Sequence, residues 1–262
     1  MVSRRVLSAA AVLTIAILAG AGPAAAAITL TPVQVELTPA RQSDLISVTN
    51  DSDDPLRLQV EVFAWQQRPD GETVLEPTKD ILAFPPLLTM AAHETKRIRV
   101  GATVPPGAAE KPYRMSVQEL PEPTAQGGPA SVRMLTKISI PVFLQPGPVT
   151  ISGRIEAVPS RDGAWTLRVE NTGTRRFVLA EIDARGIDGA GATLFDAKAA
   201  GWYVLAGGQR DYSLALSAAD CRAAHSLELS AKLDDRQLKT TVPVQAGTCG
   251  AGAKTQIGNP AP

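Results

Sequence analysis

The sequence predicts an all-β protein built from two immunoglobulin-like β-sandwich domains. From Ile28 onward, short stretches of alternating apolar and polar residues follow one another, and this period of two is typical of strands with one buried face. Turns rich in proline, glycine, asparagine and aspartate separate these stretches, and no stretch shows helical periodicity. The 262 residues are enough for two such domains, each with its own core.

The N-terminus, residues 1–27, has the pattern of a secretory signal peptide. Arg4 and Arg5 precede the apolar run Val6–Ala19, and the small residues Ala24–Ala27 follow, which is the order found in cleavable leaders. The run is short for a membrane span and leads directly into a strand pattern. We therefore predict a cleaved leader, an exported mature chain and no membrane insertion.

The first domain is predicted over residues 28–145, with about seven strands and no helix. Leu56–Trp65 is the strongest strand, because every second residue from Leu56 to Ala64 is apolar. Asn50–Pro55 and Pro69–Gly71 are turns on either side of it. The predicted strands are Ile28–Leu37, Asp44–Thr49, Leu56–Trp65, a short segment from Phe84, Glu94–Val100, Tyr113–Leu120 and Ala130–Ile138.

A second β-domain is predicted over residues 149–249, after a hinge at Gln145–Pro148 whose prolines cannot continue a strand ladder. We expect the tail, residues 250–262, to be disordered because it has little to bury. The predicted strands of this domain are Ala164–Glu170, Arg176–Arg185, Tyr203–Leu205, Arg210–Leu216, Ser226–Leu233 and Leu238–Val244.

The composition argues against several function classes. Lysine plus arginine equals aspartate plus glutamate, 26 against 26, so the net charge does not indicate nucleic acid or an anionic membrane as a partner. With two histidines in the whole chain, a metalloenzyme such as a copper–zinc dismutase is disfavoured, and we predict no metal and no cofactor. Asp51, Asp53 and Asp54 lack the glycine and glutamate of a calcium loop, so a polar turn is favoured.

Cys221 and Cys249 are the two cysteines of the chain. In an oxidising, exported compartment we expect them to form a disulfide. Two buried free thiols are the alternative. A catalytic thiol is disfavoured because no second cysteine follows at CxxC spacing.

The stretch before Pro141 has features of an exposed edge strand. Alternation puts Ser131, Arg133, Leu135 and Lys137 on one face, so neither face is purely apolar. Such a strand could offer its backbone and a row of small or flexible apolar groups to another protein. Taken alone, the stretch also fits an ordinary sandwich strand. The residues of the row are Ala130, Val132, Met134, Thr136 and Ile138.

Seven pieces of the first domain carry a resemblance to a known family. They are Ile28–Pro32, Asn50–Pro55, Val62–Gln66, Phe84–Pro86, Lys96–Val100, Tyr113–Pro121 and Lys137–Pro146. In this order they resemble the periplasmic chaperones of chaperone–usher pilus assembly, and the second domain matches more loosely. The resemblance implies two sandwiches in an L-shaped arrangement and a periplasmic, non-enzymatic chaperone. Its implied partners are pilus, fimbrial or surface-coat subunits and an outer-membrane usher.

The resemblance also implies a binding mechanism. Subunits of this kind lack the last strand of their sandwich, and the chaperone lends its seventh strand, here Ala130–Ile138, to fill the groove. Val132 and Met134 would be the main plugs, each worth about 1.5–3 kcal/mol by burial, and Ala130 and Thr136 shallower ones. The free protein could also cover this strand by self-association.

The charged residues depart from the best known members of this family. Those members hold the C-terminal carboxylate of the subunit with an arginine and a lysine, at the positions of Gln34 and Ser139 here. Tyr113–Pro121 looks instead like the archaic branch. Arg114 and Lys137 are the candidate anchors, because a buried carboxylate needs a cationic partner; two solvated strand charges are the alternative.

The family further implies an ion-pair network in the cleft between the domains. Arg99, Glu110 and Asp220 stand at the matching positions, and their role would be to fix the angle between the domains. A salt bridge of little consequence is the alternative. A different function, an exported structural or adhesive subunit, is disfavoured because the mature chain begins directly with a strand rather than with an N-terminal donor extension.

Overall fold

The computed structural model describes residues 28–121, 134–159, 164–245, 249 and 254–258, which form strands and one short helix, α1 (Ala218–Ala223). None of the helical residues in these ranges forms a segment long and apolar enough to cross a membrane. The strands are β1 (Ile28–Thr31), β2 (Val35–Leu37), β3 (Ser43–Asn50), β4 (Leu56–Gln67), β5 (Thr73–Pro77), β6 (Ile81–Phe84), β7 (Leu87–Met90), β8 (Thr95–Ala102), β9 (Lys111–Glu119), β10 (Lys137–Leu144), β11 (Gly153–Pro159), β12 (Trp165–Asn171), β13 (Phe177–Ile187), β14 (Thr193–Ala200), β15 (Tyr203–Val204), β16 (Gln209–Ala215), β17 (Ser226–Leu233), β18 (Arg236–Pro243) and β19 (Gln256–Gly258).

The first domain is a sandwich of two sheets. One has the order β1-β3-β8-β6, and the other has the order β2-β10-β9-β4-β5 with β7 beside the first part of β4. The alternation that predicts β4 is the alternation that fills the core, since Leu56, Leu58 and Val60 point inward between the sheets. The predicted sandwich architecture is confirmed for this domain.

The second domain is also a two-sheet sandwich. Its sheets have the orders β11-β12-β16-β19 and β14-β13-β17-β18, with β15 beside β13. Leu167, Ile182 and Leu229 lie in its core, which is separate from the core of the first domain. The segment between β10 and β11 contains the predicted hinge, Gln145–Pro148.

The C-terminal part of the second domain is held to its core by a disulfide. Cys221 on α1 is bonded to Cys249, as predicted. The expectation of a disordered tail over 250–262 is wrong for β19, which pairs with β16. Ile257 packs against the second core, and Thr255 Oγ1 donates to Asp220 Oδ2 at 2.5 Å. The Ile257 side chain and the Thr255 hydrogen bond hold this segment on the second domain, although its composition predicts disorder.

A buried ion pair joins the two domains. The side chains of Glu110 on the first domain and Arg176 on the second are almost fully buried, and Arg176 Nη1 lies 2.5 Å from Glu110 Oε2. The backbone N–H of Arg176 donates to the other oxygen of Glu110 at 3.1 Å, and Arg176 Nη2 lies 2.6 Å from Glu36 Oε1 on β2. One guanidinium therefore bridges two carboxylates of the first domain.

The two carboxylates respond differently to this environment. Burial raises the pKa of Glu110, although the charge of Arg176 opposes the shift. Burial also opposes ionisation of Glu36, but the hydrogen bond and the charge of Arg176, with the charge of Arg175, outweigh it and lower the Glu36 pKa.

An aromatic cluster lies beside this ion pair. The rings of Trp65, Phe143 and Tyr203 lie 5.7–6.1 Å apart, and Leu205 completes the cluster from the second domain. The guanidinium carbon of Arg176 lies 3.4 Å from the centroid of the Phe143 ring, a cation–π contact within the buried seam. Apolar burial and charge pairing thus act together at the domain interface.

The predicted interdomain network needs a correction. Glu110 lies in the network, whereas the prediction was wrong for Arg99 and Asp220. Arg99 is exposed on the outer face of β8, with Ser43 Oγ as its neighbour at 3.3 Å, and Asp220 bonds to Ser217 within the second domain. The cation that pairs with Glu110 is Arg176. This pair cannot be predicted from the sequence alone, because it depends on how the two domains are placed relative to each other.

Arg176→Met should lower the free energy of unfolding by about 3–5 kcal/mol, because it leaves the Glu110 carboxylate buried without its cation. Denaturant unfolding measures this. Adding Glu110→Gln to Arg176→Met should recover part of the loss, since the almost fully buried carboxylate is then also removed and Glu36 keeps its ion pair with Arg175. Arg154→Met, which removes an exposed ion pair with Glu170, is the control and should cost less than about 1 kcal/mol. An equal cost for Arg176→Met and Arg154→Met would contradict the assigned role.

Candidate functional site

One edge of β10 is open along its first half. β9 pairs with β10 from Lys137 to Leu144, whereas β2 runs parallel to β10 and pairs with Val142–Leu144. Over residues 137–141, no other described strand pairs on the β2 side. An open edge of this kind is a template for pairing with another chain.

The hydrogen-bond phase shows which backbone groups face the open edge. Glu119 N donates to Thr136 O at 2.8 Å, and Gln145 N donates to Leu37 O at 2.8 Å. Because bonding directions alternate along a strand, even-numbered residues of β10 bond to β9 and odd-numbered residues face β2 or the open edge. The N–H and C=O groups of Lys137 and Ser139 therefore point outward. Pro141, which has no N–H, stands where the cover by β2 begins.

The predicted apolar row runs from the core out into solvent. Ile140 is buried and Ile138 packs against the first core, so Ile138 is committed to its own domain rather than free as a plug. Thr136 is half-buried, and the side chain of Met134 is 90% exposed, the largest value among the large apolar residues described. Ala130 and Val132 lie outside the described residues. An apolar side chain as exposed as Met134 next to a strand edge indicates a binding surface.

Arg114 is a half-buried cation next to this edge. It lies on β9 opposite Pro141, and its guanidinium carbon lies 4.6 Å from the centroid of the Trp65 ring. Burial lowers the pKa of Arg114, and no carboxylate of the described residues lies within salt-bridge distance of it. Such a site favours an anionic ligand, whose charge would offset the cost of burying the guanidinium.

The other polar residues suggested by the sequence differ in environment from Arg114. Lys137 is exposed at the start of β10 and makes no described ion pair, so water already solvates its charge. Gln34 accepts from Tyr203 Oη at 3.1 Å across the domain interface. Ser139 is exposed on the open edge. Sequence reasoning missed Trp65 as the aromatic platform under Arg114, because the two residues meet only through the pairing of β4 with β9.

The first domain matches a known protein family. Residues 27–150 match the family described as pili and flagellar-assembly chaperone, PapD N-terminal domain. No curated protein sequence matches the chain.

Several solved structures share the fold at low sequence identity. A structure of the CsuC–CsuE chaperone–tip adhesion subunit pre-assembly complex from archaic Csu pili of Acinetobacter baumannii matches with a TM-score of 0.58 and 17% identity, covering 82% of this chain and 98% of that chain. The E. coli chaperone DraB matches with a TM-score of 0.52 and 18% identity, at 82% and 98% coverage.

A third match is the Salmonella enterica SafA pilin in complex with the SafB chaperone, with a TM-score of 0.52 and 16% identity, covering 82% of this chain and 96% of that chain. These likenesses show that the two domains, in this order along the chain, have the fold of pilus chaperones. Residues 27–150, which hold the N-terminal domain, belong to the family of pili and flagellar-assembly chaperones.

Proposed function

We propose that this protein is a periplasmic chaperone that binds pilus, fimbrial or surface-coat subunits by adding β10, extended by the preceding stretch, to an incomplete β-sandwich. It then delivers the subunit to an outer-membrane usher. The observation that carries the proposal is the open edge of β10, with the Lys137 and Ser139 backbone groups facing outward and Met134 exposed beside it. Two of the matched structures are complexes of a chaperone, one with a tip adhesion subunit and one with a pilin.

The open edge has the features that strand addition requires. Each backbone hydrogen bond to an added strand contributes a net stabilisation of about 0.5–1.5 kcal/mol, so the edge alone gives modest affinity for any extended chain. Burial of the Met134 side chain in a subunit groove would add about 1.5–3 kcal/mol. Val132 is proposed as a second plug at the next position of the same row. Backbone pairing then supplies affinity and the row supplies selectivity.

Arg114 is the proposed anchor for the C-terminal carboxylate of the subunit. Its guanidinium is half-buried and close to the point where the open edge ends at Pro141. The C-terminus of a subunit lying along this edge would place its carboxylate near the guanidinium. Because Arg114 is already half-buried in the free protein, part of the cost of desolvating the charge pair is met before the subunit binds.

The alternative, an exported structural or adhesive subunit, requires a sandwich that lacks a strand. In the first domain both sheets border a continuous core, to which β1, β2 and β10 all contribute buried residues. No observation favours the alternative.

Ser139→Pro should abolish co-purification with a co-expressed subunit, because it removes an N–H that faces the open edge while leaving the bonds to β9 intact. Ser139→Ala is the matched control and should bind like wild type.

The double variant Val132→Asp with Met134→Asp should also lose the subunit, since charges cannot enter an apolar groove. Circular dichroism establishes that each variant is folded. A one-to-one complex that survives in both the proline and the aspartate variants would contradict strand addition.

Arg114→Met should weaken subunit binding by about 30-fold or more, as expected when one partner of a desolvated charge pair is removed. Lys137→Met should change the dissociation constant by less than about threefold, because its charge is exposed. The measurement is titration of a C-terminal subunit peptide with a free or an amidated carboxyl end. Amidation should weaken binding to wild type and have little further effect on Arg114→Met. A larger effect of Lys137→Met would move the anchor to Lys137.

A further inference from the structure

The first domain has a second open edge, in the other sheet. β6 is the last strand of the sheet β1-β3-β8-β6, and β8 is its partner among the described strands. Thr103 N donates to Asp80 O at 2.8 Å, which sets the phase of the bonds between β6 and β8. Residues 82 and 84 therefore bond to β8, and the N–H and C=O groups of Ile81 and Ala83 point away from the sheet.

An exposed apolar patch lies next to this edge. Leu45, Leu82 and Phe84 are 40%, 58% and 71% exposed on the outer face of the sheet. Register places Leu82 beside Gly101 and Phe84 beside Arg99, with Leu45 on the other side of Arg99. Gly101 carries no side chain that could cover Leu82. Three large apolar residues grouped at the end of one sheet are a feature of interaction surfaces.

The charge of this face is uncompensated. Arg97 and Arg99 stand on the outer face, and none of the outward-facing residues in the described strands β1, β3, β6 and β8 is acidic. Arg99 has Ser43 Oγ as its neighbour at 3.3 Å and no described carboxylate within salt-bridge distance. A cation among exposed apolar side chains favours a ligand that carries a carboxylate.

We propose that β6 accepts an extended segment of a partner protein as a fifth strand of this sheet. The segment presents apolar side chains at alternate positions over Leu82 and Phe84 and a carboxylate toward Arg99. Two strand spacings, about 10 Å, separate β8 from an added strand, a gap that an arginine and a glutamate side chain span together. Because β6 and β10 belong to different sheets, this partner and a strand on β10 can be bound at once.

Two other occupants fit the face less well. A lipid surface does not present a row of donors and acceptors that matches the outward backbone groups of Ile81 and Ala83, and these groups would be costly to bury in acyl chains. A second copy of β6 carries no acidic residue within the strand, and the adjacent Asp80 already accepts from Tyr113 Oη at 2.9 Å. An acidic, extended segment of another protein satisfies both the backbone and Arg99.

The test uses the whole protein and a labelled synthetic peptide that alternates valine and threonine around one central glutamate, with a twin that carries lysine instead. Fluorescence anisotropy should show that wild type binds the glutamate peptide about fivefold more tightly than the lysine twin. Arg99→Glu should reverse this preference. Ala83→Pro, which removes an outward N–H but no bond to β8, should abolish the preference for the glutamate peptide, whereas Ser139→Pro on the other open edge should leave that preference unchanged.

Four results would overturn the proposal. The first is equal binding of the two peptides, and the second is a glutamate preference that Ser139→Pro removes and Ala83→Pro does not. The third is binding to phosphatidylglycerol vesicles that depends on Phe84, without peptide binding. The fourth is a dimer of this chain that Ala83→Pro dissociates. Ala83→Pro could destabilise β6, but Arg99 is exposed and its substitution by glutamate should leave the fold intact. Arg99→Glu therefore tests the proposal independently of Ala83→Pro.

Discussion

The functional surface depends on one constraint, which is that backbone N–H and C=O groups removed from water need hydrogen-bond partners. Along β10, Ile138 and Ile140 satisfy this requirement through β9, whereas Lys137 and Ser139 face an edge that no described strand covers. Water can satisfy these groups while the protein is free. An added strand satisfies them equally well and excludes that water, which is why the edge is suited to a transient partner.

The second domain helps to set where this edge ends. β2 covers the last residues of β10, and its Glu36 carboxylate is held by Arg176 of the second domain. Phe143, near the end of β10, is packed in the aromatic cluster under the same guanidinium. The end of β10 is therefore fixed by buried contacts to the second domain, while its start is free to pair. This arrangement presents a rigid edge, so little ordering entropy is lost when a partner strand docks.

Local patterns predicted much of this molecule, and long-range pairing accounts for what they missed. The alternation of Leu56–Trp65 is sufficient to predict β4, because burial of one strand face is a local signal. β5 and β6 are too short to show a period of two in the sequence. β19 is held by the hydrogen bond between Thr255 and Asp220, which composition cannot reveal. Of the site, Met134 and Arg114 could be named from the sequence, but the platform at Trp65 and the pairing of Glu110 with Arg176 depend on strand and domain placement.

The most direct test of strand addition is amide hydrogen exchange in the free protein and in its complex with a subunit, resolved residue by residue by NMR. The N–H groups of Lys137 and Ser139 should exchange rapidly in the free protein and become protected in the complex. Ile138 and Ile140, already bonded to β9, should be protected in both states. Unchanged exchange at Lys137 and Ser139 in a saturated complex would contradict the account, because the subunit would then be bound at another surface.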